Sequence, residues 1–142
     1  MELEIIKNSI HEIRGLKVIL DFELAKMYQV ETKRLKESVR RNSRRFPVDF
    51  MFELTQEEWT NLRSQIATSS WGGKRYPPFA FTEQGIAMLS SVLNSEVAID
   101  VNISIMRAFV MMRQWAMNHQ ELSEKLTALE QQYGQKFKDI EC

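Results

Sequence analysis

Seven cationic side chains crowd residues 31–45 of this chain: Lys33, Arg34, Lys36, Arg40, Arg41, Arg44 and Arg45, against two acids, Glu31 and Glu37. The stretch therefore carries +5, while the chain of 142 residues is neutral overall. Guanidinium and ammonium groups at this density suit a polyanion, since phosphates accept their donors singly and an arginine fork also matches a guanine edge. On a helix, Lys33, Lys36, Glu37, Arg40 and Arg44 fall along one line, and Arg34, Ser38, Arg41 and Arg45 along the next. Leu35 and Val39 make the inward stripe. A solvated surface helix shows the same pattern, so the elements around it decide between the two.

Those elements read as a helix-turn-helix within residues 19–54. Asp21 is placed to N-cap a first helix, with Leu24, Ala25 and Tyr28 inward and small Ala25 at the helix crossing. The turn falls at Gln29-Val30-Glu31, and Thr32 is placed to cap a second helix that runs to about Asn42. Phe46-Pro47 then forces an extended backbone. Positive potential concentrated on such a second helix favours nucleic-acid binding over an idle surface.

Composition excludes several classes. The only cysteine is Cys142, which leaves no intramolecular disulfide and no cysteine-based zinc site. His11 and His119 are the only histidines, so a histidine-rich metal site is not expected either, and no cofactor is. The N-terminal MELEIIKNSI is acidic, and its apolar runs are too short for a signal peptide or a membrane span. A cytoplasmic protein is expected, with no membrane partner and no small-molecule substrate.

Residues 1–20 look β-like, with a hairpin of residues 10–13 and 17–20 turning at Arg14-Gly15, where Gly15 supplies a positive φ. His11 lies in that hairpin and reads as a surface or packing residue. Residues 48–54 read as a strand with Phe50, Phe52 and Leu54 on one face. Thr55-Gln56-Glu57-Glu58 has capping-box form and opens a helix with Trp59, Leu62 and Ile66 inward. Residues 67–79 are expected as a loop. Its Gly72-Gly73 tip, with Lys74 and Arg75 between Trp71 and Tyr76, suits either a wing that follows a DNA backbone or an ordinary docked loop. Thr82 caps the next helix, with Ile86, Leu89 and Leu93 in its core stripe, Glu83 at its start and Asn94 at its end. Helix-start carboxylates such as Glu83 are usually structural rather than catalytic.

Ser95 opens the longest helix. Ala98, Val101, Ile105, Ala108, Met112, Trp115, His119, Leu122, Leu126, Leu129 and Tyr133 keep an unbroken 3-4 spacing. Up to Trp115 a second face is also apolar (Ile99, Ile103, Met106, Val110), so this half is expected to be buried. Beyond Asn118 a single stripe persists, with Gly134 and Lys136 weakening its far end; it suits either a coiled-coil homodimer of about three heptads or a helix folded back on its own domain. The organisation expected is a domain over 1–117 and a helical tail over 118–142. The fold class is α+β: a small helix-turn-helix-containing domain with short strands and a long C-terminal helix.

Four blocks together resemble a known family: IRGLKVILDFELAKMYQVETKRLKESVRRNSRRFPVDFMFELT, LRSQIATSS, YPPFAFTEQGIAMLSSVLNS and AIDVNISIMRAFVMMR. In this order they resemble the phage-type ORF-six-N DNA-binding domain, a relative of the KilA-N and Bro-N domains, over roughly residues 10–115. The resemblance implies a DNA-binding regulator of bacterial, prophage or large-virus type, often placed N-terminal to variable domains. It also implies contacts from the basic helix and from the loop cations. The candidate DNA contacts are Lys33, Arg34, Lys36, Arg40, Arg41, Asn42, Arg44, Arg45, Lys74 and Arg75. The family commonly has Gly where this chain has Gln29, which is tolerable if the local φ is negative, and no effector domain is visible after the tail.

Two other functions compete with duplex DNA binding. An antirepressor-like module would dock an acidic protein partner on the basic helix. A nuclease would need two carboxylates on a divalent metal and a lysine two residues after the second; Asp49 and Glu53 have the acids, but Thr55 stands where the lysine should be. No glycine-rich phosphate loop or nucleophile elbow occurs elsewhere, and a non-enzymatic protein is expected.

Overall fold

The computed structural model describes residues 3–65 and 76–141, with side chains to residue 133. Two compact units make up the chain, Met1–Ala108 and Phe109–Cys142. The first is α+β, built on a four-stranded antiparallel sheet in the order β1-β2-β4-β3.

The chain starts with α1 (Leu3–Ser9), where the sequence looks β-like. The two adjacent isoleucines mislead: Ile6 is buried and Ile5 points to solvent, as one face of a helix requires. The expected hairpin follows, β1 (Ile10–Ile13) and β2 (Leu16–Leu20), with Ile13 opposite Leu16. Its turn uses two positive φ angles, 56° at Arg14 and 74° at Gly15, the demand of a primed two-residue turn. Arg14 bears that conformation while its guanidinium holds the Glu58 carboxylate at 2.8 and 2.9 Å and lies 4.2 Å from the centre of the Phe52 ring. This pairing, first of all the hydrogen bond from Arg14, draws the Glu58 carboxyl down to about 2.

α2 (Asp21–Tyr28) follows β2 directly, and α3 (Thr32–Arg41) follows after three residues. α2 ends in a Schellman motif: the Val30 N–H donates to Ala25 O and the Gln29 N–H to Lys26 O, with Gln29 left-handed at φ 61°. A negative φ is thus not what accommodates Gln29. Neither helix start uses the side chain expected. Leu20 and Glu31 flank the two helices without a side-chain cap; Asp21 and Thr32 are the first helical residues. α3 ends at Arg41, one residue short, and a single 3-10 turn (Ser43–Arg45) carries the last two cations off the helical line.

The strand expected over 48–54 shrinks to β3 (Met51–Glu53). Pro47 starts a turn in which its carbonyl accepts the N–H groups of both Phe50 and Met51, which removes Phe50 from the ladder. α4 (Gln56–Gln65) opens with the capping box: Glu58 N–H donates to Thr55 Oγ1 and Thr55 N–H to Glu58 Oε1. Ile66, expected to point inward, and Trp71, Gly72, Gly73, Lys74 and Arg75 of the expected wing lie outside the described residues. Where the loop was expected to continue through residue 79, Phe79–Phe81 is instead β4, an inner strand of the sheet. Three residues flanked by Pro77-Pro78 and Thr82 are too short to show a period; pairing with β2 and β3 makes the strand.

Strand alternation splits the sheet into two faces. Val18, Leu20, Phe52, Leu54 and Ala80 pack with Trp59 and Leu62 of α4. Ile19, Phe79 and Phe81 face the other way, where α2, α3 and α5 (Glu83–Leu93) meet. Thr82 caps α5 as expected, and Asn94 ends it at φ 43°. The Ser95 Oγ accepts the Ala98 N–H at the start of α6 (Glu96–Glu141). Within the first unit, Ala98, Val101, Ile105 and Ala108 of α6 are buried, and Asn102 accepts the buried Tyr28 hydroxyl while donating to Ile86 O at 3.0 Å. The second apolar face is not buried: Val97, Ile99 and Ile103 are exposed, as is Val110 in the second unit. One helix side suffices to close the core, so the other keeps its apolar residues in solvent.

Candidate nucleic-acid interface

α3 buries only Leu35 and Val39. Its two apolar anchors, four residues apart, press one side of the helix against α2 and α5. Lys33, Arg34, Arg40 and Arg41 consequently stand in solvent, and Arg44 and Arg45 extend the exposed set through the 3-10 turn. Arg45 is positioned by its guanidinium, which donates to Ser91 Oγ of α5 at 3.1 Å. Asn42 is half-buried; its amide donates to Ser38 O at 2.8 Å and finishes the helix.

Lys36 differs from the others. Its ammonium lies 3.4 Å from Asp21 Oδ2 and 4.9 Å from the centre of the Phe79 ring. Asp21 is buried at the start of α2, and its Oδ2 also accepts the Phe79 N–H at 2.9 Å. Burial raises the Asp21 carboxyl above its ordinary range; the Phe79 N–H and Lys36 offset this only in part. One carboxylate on α2 thus contacts both β4 and α3. Arg40 reaches the same ring, with its guanidinium 5.7 Å from the Phe79 centre.

Two concavities flank the cationic ridge. One, of about 450 Å³, is lined by Thr32, Lys33, Lys36 and Arg40 on α3, with Glu53 and Tyr76 opposite. The other, of about 490 Å³, lies against the α2–α3 turn and is lined by Gln29, Val30, Glu31, Lys33, Arg34 and Glu37. Lys33 belongs to both. Lys33, Lys36 and Arg40 thus line the first concavity and Lys33 and Arg34 the second, while Arg41, Arg44 and Arg45 line neither of the two. Asp21, Glu53 and Phe79 were not singled out for this surface from sequence. The FAF run between a proline pair and a threonine cap was the one available signal for Phe79.

Among the described residues no cluster of three His, Cys, Asp or Glu could hold a metal ion, and no helix is long and apolar enough to cross a membrane. Asp49 and Glu53 are both exposed, and the Asp49 carbonyl accepts the Thr82 hydroxyl at 3.1 Å.

Fold and surface define a small α+β domain, an antiparallel sheet with a cationic helix packed against α2 and α5. The chain belongs to the ORF6N domain family, whose model matches residues 8–92, from the end of α1 almost to the end of α5. This is a phage-associated, KilA-N-like domain family. No curated protein and no solved structure matches the chain.

Proposed function

We propose that this ORF6N chain is a non-enzymatic regulatory protein of phage type that binds duplex DNA. In this reading α2 and α3 act as a helix-turn-helix, with α3 as the recognition helix. The observation that carries it is the run of exposed cations along α3 and the following turn, on a helix whose only buried residues are Leu35 and Val39. Lys33 and Arg34, in the first turn of α3, meet base edges, with arginine suited to guanine. Arg40, Arg41, Arg44 and Arg45 hold phosphates. Lys36 shares its charge with Asp21 and serves the orientation of α3 as well as the backbone. Lys74 and Arg75 join as backbone contacts. The protein works in the cytoplasm as a homodimer joined through its C-terminal helix, without cofactor or small-molecule substrate.

The test is fluorescence anisotropy on random duplex DNA across a salt series, comparing the wild type with Arg40→Ala/Arg41→Ala. With five to seven phosphates neutralised, log affinity against log salt slopes at roughly −4 to −6, and the double variant loses about two units of that slope. Binding that ignores salt, or no binding at low salt, removes the DNA reading in favour of an antirepressor-like module docking an acidic protein.

A further inference from the structure

The second unit, residues 109–142, is helical through Glu141. Along it Leu122, Leu126, Leu129 and Tyr133 are 56%, 54%, 50% and 60% exposed, in one stripe at 3-4 spacing. With Met112, His119, Leu126 and Tyr133 at a positions, the d positions are Trp115, Leu122 and Leu129. A seam of this period has a natural occupant in a second helix of the same period.

The flanking residues say how that second helix runs. The e positions are Ala116, Ser123 and Glu130; the g positions are Met111, Asn118, Lys125 and Gln132. In a parallel pair each g residue meets the partner's e residue of the next heptad. That places Met111 by Ala116, Asn118 by Ser123 and Lys125 by Glu130: apolar with apolar, polar with polar, cation with anion. In an antiparallel pair g faces g and e faces e, so Lys125 and Glu130 never meet. Over the stripe that ends at Tyr133, only one orientation uses the single charge on each flank.

We propose that the exposed stripe of the second unit binds a second copy of this chain as a parallel, in-register two-stranded coiled coil, paired through Lys125 and Glu130 across the seam. His119 sets the register. It stands at an a position between Trp115 and Leu122, and in register the two histidines share one layer, where a polar pair tolerates no neighbour but its own kind. A register shifted by one heptad would set His119 against Met112 or Leu126. The orientation rests on the proposed homodimer and adds the partner, the register and the residues that choose them.

Sedimentation equilibrium of the full chain without DNA, over roughly 1–100 µM, reads association by mass action. A monomer throughout overturns the homodimer and the orientation together. Where the wild type is a dimer, Lys125→Glu weakens it about five- to tenfold, and adding Glu130→Lys restores it, because the pairs are re-formed with reversed sign. Equal affinity for all three proteins overturns the pairing while leaving the homodimer intact. Orientation is read by Leu129→Cys in a Cys142→Ser background: mild oxidation gives a cross-linked dimer if the helices are parallel and in register, and the absence of a cross-link in a dimer overturns it. His119→Leu tightens association about tenfold or more at the expense of a single register, and weaker association overturns its seam position.

Discussion

Asp21 and Lys36 face each other at 3.4 Å, the carboxylate buried at the start of α2 and the ammonium on the first half of α3. The same oxygen accepts the Phe79 N–H from β4, so one buried carboxylate on α2 serves both a strand and the cationic helix. Asp21→Ala leaves both a strand N–H and a partly buried ammonium without their acceptor, and should cost about 3 kcal/mol in denaturant unfolding at pH 7. Asp21→Asn keeps an acceptor and should cost less. The raised Asp21 carboxyl means that the folded chain holds this proton more tightly than the unfolded chain. The proton-linked component of stability is complete below the ordinary 3.8 and is lost as pH rises through the raised folded value, leaving the contacts of the ionised carboxylate; Asp21→Asn should abolish that component of the pH profile.

Gln29 holds a left-handed φ of 61° at the end of α2, where its backbone and that of Val30 close a Schellman motif. A side chain in this region is strained and glycine is not. Gln29→Gly should therefore stabilise the chain by about 0.5–1 kcal/mol, read as an upward shift of the unfolding midpoint. A lower midpoint would show that the glutamine side chain has a contact outweighing its backbone strain.

Gly85 sits in the first turn of α5 beneath the turn that precedes β3. A Cβ there would lie 2.1 Å from the Phe50 carbonyl oxygen, an atom that already accepts the Thr82 N–H at 3.0 Å. Backbone cannot rotate away as a side chain does. Gly85→Ala should cost about 3 kcal/mol or more, although alanine favours a helix elsewhere. A thermal midpoint equal to that of wild type would contradict this packing.

Arg14 and Glu58 join the hairpin turn to the first turn of α4. The Glu58 carboxyl, lowered to about 2 chiefly by the hydrogen bond from Arg14, keeps its charge further into acid than an unpaired one. A lowered carboxyl contributes stability that is present above the unfolded value of 4.5 and is lost as pH falls from there towards 2. Thermal melts across this window should show a steeper acid loss in the wild type than in Arg14→Ala. Parallel profiles would mean that the pair is too well solvated to matter.

Local signals stated some parts of this molecule outright. The capping box at Thr55, the caps at Thr82 and Ser95, the left-handed stop at Asn94 and the hairpin at Gly15 are all written in a few adjacent residues, because each is a hydrogen bond or a dihedral between near neighbours. Leu35 and Val39 likewise announced the buried side of α3, and with it the exposure of the cations around them. The family resemblance lay in the same blocks and matches the ORF6N domain over residues 8–92.

Long-range pairing decided the rest. β4 is three residues long and exists because β2 and β3 supply its hydrogen bonds, from residues that no local window includes. Asp21 reads as a cap by its position; folding turns its carboxylate to Phe79, 58 residues away, and to Lys36. Both faces of α6 are apolar in sequence, and only the packed core chose which one to cover. The sequence alone determined where the helices after α1 would fall and where the positive charge would lie, since caps, periods and charges are local; α1, which the sequence shows as β-like, was not among them. The tertiary structure alone decided how that charge is held and which apolar stripe is left exposed, since burial and strand pairing depend on residues brought together from opposite ends of the domain.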